Sequence, residues 1–132
     1  MRKIDLIITL EKLEKAFKRL EEAIDKTKDD LDRDGTIQRF EFTFEQLWKT
    51  LKNTLEYLGT PCHSPRDCIK KAFKSDLVPD DEILLDMLED RNSSSHIYDE
   101  STALEIFERI RSAYLDSIRR VVESLKKNLN LD

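Results

Sequence analysis

Glycine occurs twice and proline three times in the 132 residues. Most β-rich folds need a turn signal about every 8–12 residues. Two glycines cannot build a GxGxxG loop or a Walker loop either. Both classes are excluded. Long hydrophobic runs are missing too: no apolar stretch approaches the ~20 residues of a membrane span. The opening Ile4-Asp5-Leu6-Ile7-Ile8-Thr9-Leu10 is too short and too interrupted for a signal peptide. Cysteine is limited to Cys62 and Cys68, which does not suggest a disulfide-stapled secreted chain. The expectation is a cytoplasmic protein with no membrane association. Basic residues number 23 against 28 acidic ones, a formal charge of −5. The net field therefore does not attract nucleic acid, and any such contact must use a local basic patch.

What the chain does contain is charge, at 39% of residues, against about 25% in an average domain. Together with periodic apolar positions this predicts one helical domain over residues 1–132. Helix one is predicted over about residues 3–28, since Leu6, Leu10, Leu13, Phe17, Leu20 and Ile24 recur at helical spacing. A second is expected over about 36–58, with Phe40, Phe44, Leu47, Trp48, Leu51, Leu55 and Leu58 inward and Gly59 and Pro61 as stop signals. Ser64-Pro65-Arg66-Asp67 caps a short helix over about 65–75, with Ile69, Ala72 and Phe73 inward. A fourth helix opens near Pro79, turns Ile83, Leu84, Met87 and Leu88 inward, and weakens at Ser93-Ser94-Ser95. The last, about 100–128, carries Ala103, Ile106, Phe107, Ile110, Tyr114, Ile118, Val121, Val122 and Leu125. Four long helices and one short one predict an all-α, up-and-down four-helix bundle with one additional short helix.

Four groups of residues could carry chemistry. Asp30, Asp32, Asp34, Gly35 and Glu41 match the spacing of an EF-hand calcium loop. The partner loop that normally accompanies one is missing, and an acidic connector capping the second helix explains the same residues. Cys62, His63 and Cys68 are too few and wrongly spaced for zinc, so two metal-free cysteines are expected. Arg66, Lys70 and Lys74 step by four along one helical face, which could hold phosphates or remain a solvated surface.

The fourth group is Arg91-Asn92-Ser93-Ser94-Ser95-His96-Ile97-Tyr98. A histidine near its unperturbed pKa of about 6.5 exchanges protons at neutral pH. An arginine can grip a phosphate with two parallel hydrogen bonds and stabilise a phosphoryl transition state. On an ideal helix, five residues leave the two side chains about 140° apart. A break at the serines, or a two-fold dimer, would be needed to bring them together. A polar helix end accounts for the same octapeptide without any chemistry.

Arg91 to Tyr98 fits the R-x4-H-x-Y motif, and the likeness extends further. Ile37-Gln38-Arg39-Phe40-Glu41-Phe42-Thr43-Phe44-Glu45 with Trp48-Lys49, then Ser64-Pro65-Arg66-Asp67, then Met87-Leu88-Glu89-Asp90-Arg91-Asn92, resemble the nucleotidyltransferase substrate-binding, HepT-like branch of the HEPN proteins. That resemblance implies a helical homodimer associated with an MntA-like minimal nucleotidyltransferase. It implies a ribonuclease toxin in which Arg91 and His96 cleave RNA without metal or cofactor at the dimer interface. Asn92 would be an orienting amide, and Tyr98 the hydroxyl that the transferase adenylylates to silence the toxin. Arg66, Lys70 and Lys74 would bind RNA or the transferase. The alternative is a non-catalytic substrate-binding accessory subunit of the transferase, and the third reading is a single EF-hand-like calcium binder.

Overall fold

The computed structural model describes residues 1–94 and 99–131. Helix α1 spans Lys3–Lys26 and α2 spans Asp30–Tyr57. The short α3 covers Pro65–Lys74, and α4 covers Glu82–Ser94. A last rod consists of α5 (Glu100–Arg109), a π-helical turn (Ile110–Tyr114) and α6 (Leu115–Asn128). Among the described residues there is no strand. Helix α2 is the centre of the bundle and packs against α1, α3, α4 and α5, while α1 also meets α6.

The α1–α2 hairpin is zipped by threonines. Thr36, Thr43 and Thr50 recur every seventh residue on α2 and are buried. Thr43 Oγ1 donates to the Ala16 carbonyl at 3.2 Å, and Thr36 Oγ1 to the Ala23 carbonyl at 3.4 Å. Further along, Asn53 Nδ2 donates to Thr9 Oγ1 at 3.3 Å. As α2 residue numbers rise, their α1 partners fall, so the two helices run antiparallel. The small threonine and alanine side chains let the backbones approach closely. The other side of α2 buries Phe40, Phe44, Leu47, Leu51 and Leu55, all fully enclosed.

Several expectations need correcting. Helix α2 begins at Asp30 rather than near residue 36, because Asp29 acts as its N-cap, accepting from the Asp32 N–H at 2.8 Å. Acids in a first turn are favoured by the helix dipole. The calcium loop is therefore not formed. Asp30, Asp32 and Asp34 are helical, and on an α-helix alternate residues lie about 200° apart rather than around one ion. Cys62 and Cys68, which did not suggest a disulfide staple in the sequence, form a disulfide. Both are buried, one in the loop before α3 and one within it, with Cα atoms 5.1 Å apart.

Leu58 and Phe73, expected inward, are exposed. Leu58 is the C-cap of α2, where the chain leaves the helix. Gly59 follows with φ +85°, and the Thr60 N–H closes back on the Leu55 carbonyl at 2.8 Å, the helix-ending turn that glycine permits. Helix α4 also runs on through Ser93 and Ser94. Their hydroxyls donate to the Glu89 and Arg91 carbonyls, each at 2.9 Å, so the serines bond locally within the last described turn of α4.

Candidate functional site

The final turns of α4 place two adjacent residues, Asp90 and Arg91, about 100° apart around the helix axis. Asp90 is buried. Arg109 meets it with two parallel bonds, Nε to Oδ2 at 2.8 Å and Nη2 to Oδ1 at 2.9 Å. The Tyr114 hydroxyl donates to the same carboxylate at 2.5 Å. The Tyr114 ring stacks on Phe40, with centroids 5.5 Å apart. Burial, reinforced by the hydrogen bond to Asp90 and the carboxylate charge, pushes the Tyr114 phenol well above its ordinary range. The same carboxylate bond holds the Arg109 guanidinium firmly protonated. This cluster ties α4 to the α5–α6 rod across the π turn.

Arg91 faces a different environment. Its side chain is 32% exposed and forms an ion pair with Glu45 of α2. Its Nη1 donates to Asn92 Oδ1 at 3.1 Å. Glu45 also accepts from Trp48 Nε1 at 3.1 Å and has Lys49 Nζ at 3.4 Å. Partial burial alone would raise the Glu45 pKa. The Trp48 bond and the positive charges of Arg91 and Lys49 outweigh it and hold the carboxyl below its ordinary value. Glu45 is thus anionic at neutral pH and clamps the guanidinium in place. A phosphate arriving at Arg91 has the right charge and geometry to compete with that carboxylate.

Of the residues singled out in the sequence, Arg91 and Asn92 come together. His96 and Tyr98 lie outside the described residues. Arg66, Lys70 and Lys74 sit exposed on α3, and Arg91 takes its partners from α2 and α4. Among the described residues no cluster of three or more His, Cys, Asp or Glu could hold a metal ion, and no helix is long and apolar enough to cross a membrane.

Sequence reading missed the roles of Glu45, Asp90, Arg109 and Tyr114. One signal was available. Asp90 follows Met87 by three residues, so it falls on the inward face of α4, where an acid needs partners. A tyrosine within a core stripe likewise needs a mate for its hydroxyl.

Among the described residues the chain is an all-helical bundle. The family described as nucleotidyltransferase substrate binding protein like matches residues 8–127, and the chain belongs to that family. A crystal structure of a protein from Thermus thermophilus is similar, with 35% identity and a TM-score of 0.74. The alignment covers 89% of this chain and 98% of that one. No curated protein matches the chain.

Proposed function

We propose that the protein is a HEPN ribonuclease, active as a homodimer and controlled by a minimal nucleotidyltransferase. The observation that carries this reading is Arg91: a part-exposed guanidinium, fixed by Glu45, that opens the R-x4-H-x-Y motif. In the proposed reaction Arg91 holds the scissile phosphate. The 2′-oxygen attacks phosphorus as its proton is removed, the bond to the 5′-oxygen breaks, and that oxygen leaves with a proton. His96 serves one of the two proton transfers. The products are a 2′,3′-cyclic phosphate and a 5′-hydroxyl. Asn92 orients the Arg91 guanidinium. Adenylylation of Tyr98 by the partner would set a further phosphate beside Arg91 and close the site.

The test is direct. Purified protein should release RNA fragments ending in 2′,3′-cyclic phosphate. Arg91→Ala and His96→Ala should each lower the rate by at least about a hundredfold, with circular dichroism unchanged. Cleavage that persists in either variant removes that residue from the reaction.

One observation favours a second reading, that of an accessory subunit. The guanidinium is already occupied by Glu45, and in a chain of net charge −5 the pair could simply be structural. Absence of cleavage by the wild-type protein, together with tight binding to a nucleotidyltransferase, would establish that reading.

A further inference from the structure

A groove of about 920 Å³ lies between the C-terminal half of α1 and the N-terminal half of α2. Four cations line it: Arg19, Lys26, Lys28 and Arg39. Two carboxylates, Asp25 and Asp32, also line it, and Asp32 sits 4.0 Å from Lys28 Nζ. This local excess of positive charge stands on a chain whose total is −5. Arg39 spends one donor on the Arg19 carbonyl at 2.8 Å, and a guanidinium has five N–H groups. At the lip stands Phe42, a large aromatic side chain left 57% exposed. It lies three residues from Glu45, the partner of Arg91. Residues three apart share a helix face, separated by about 4.5 Å along the axis. Phe42, at the edge of the groove, therefore stands about one helical turn from the partner of Arg91.

Cations that follow a backbone, next to an exposed aromatic ring, are the recognition chemistry of single-stranded nucleic acid. We propose that this groove holds the RNA strand flanking the scissile phosphate, with Phe42 stacked on a base and Arg19, Lys26, Lys28 and Arg39 against the phosphates. The proposal rests on the ribonuclease reading and adds to it the form of the substrate, an unpaired strand, and the surface that receives it.

The probe is a short, fluorescently labelled single-stranded RNA with 2′-O-methyl riboses, which the wild-type protein can bind but not cleave. Fluorescence anisotropy should show Phe42→Leu binding roughly fivefold more weakly or worse, while Phe42→Trp keeps the wild-type affinity. Charge reversal at Lys26 and Lys28 should weaken binding and flatten its salt dependence. Wild-type affinity in the Phe42→Leu and charge-reversal variants, beside RNA cleavage that still needs Arg91, would overturn the groove and leave the ribonuclease reading standing. A wild-type protein that neither binds nor cleaves RNA would overturn both. Conversion of the Phe42→Leu variant from dimer to monomer on size-exclusion chromatography would assign this face to a second copy of the chain and also overturn the proposal.

Discussion

Asp90 and Arg91 are neighbours in sequence and opposites in environment. Asp90 is buried, and its carboxylate is gripped by Arg109 and Tyr114 from the neighbouring rod. Arg91 is part-exposed, and its carboxylate partner is a side chain that a ligand could replace. The first arrangement satisfies polar groups that cannot reach water, so it fixes structure. The second leaves a cation part-exposed at the surface, held by a carboxylate from another helix. A polar residue in a helical bundle can thus be a lock or a handle, and a single step around the helix separates the two.

That contrast can be broken by substitution. Asp90→Ala leaves the Tyr114 hydroxyl and the Arg109 guanidinium without their acceptor. Arg109 can partly rehydrate, so the expected loss is about 2–3 kcal/mol, measured by urea or thermal unfolding. Tyr114→Phe removes one buried hydrogen bond and should cost about 1 kcal/mol. It should also change the alkaline limb. In the wild type the folded phenol stays neutral above its ordinary pKa of 10.0, while the unfolded chain ionises there. Stability contributed by Tyr114 is therefore complete below about pH 10 and declines as pH rises further. The phenylalanine variant should lack that decline.

Arg91→Ala should cost less than about 1 kcal/mol, because the pair with Glu45 is part-exposed. An Arg91 variant that destabilises the fold more than Asp90→Ala would invert the comparison. Glu45→Gln should have the smallest effect on stability and should tighten RNA binding a few-fold, since it removes the competing charge. Its acid behaviour sharpens the same point. Glu45 is held below its ordinary value of 4.5, so its stabilising contribution is present above that pH and lost as pH falls beneath it. Equilibrium unfolding between about pH 5 and 3 should show a shallower decline for the glutamine variant.

Much of the fold was legible in the sequence because burial follows period. Every apolar residue assigned to the last helix, from Ala103 to Leu125, is buried. The failures fall where local chemistry outweighs period. The acidic stretch before residue 36 looks like a connector by composition, but Asp29 turns it into a helix start. Leu58 continues the stripe of α2 by spacing, but it already caps the helix that Gly59 ends. The disulfide could not be read because the spacing of Cys62 and Cys68 gives no information on how the intervening chain bends. At the site, Arg91 and Asn92 were visible as residues of an octapeptide. Glu45 lies 46 positions away from Arg91, and a pairing across two helices leaves no mark in a local pattern.

The π turn at Ile110–Tyr114 has a consequence for how much change the rod tolerates. Ile110, Tyr114, Ile118 and Val122 follow one another at four-residue steps, which would drift by about 40° each in unbroken α geometry. The wider i→i+5 turn absorbs one surplus residue and brings the series back into line. Deleting a single residue such as Ser112 should therefore remove the surplus and close the π turn into continuous α-helix. The segments on either side should keep their rotational phase, so that the core meets the same side chains before and after the turn. The rod should tolerate the loss of one residue at this turn better than within α5 or α6, where a deletion turns all that follows by about 100°.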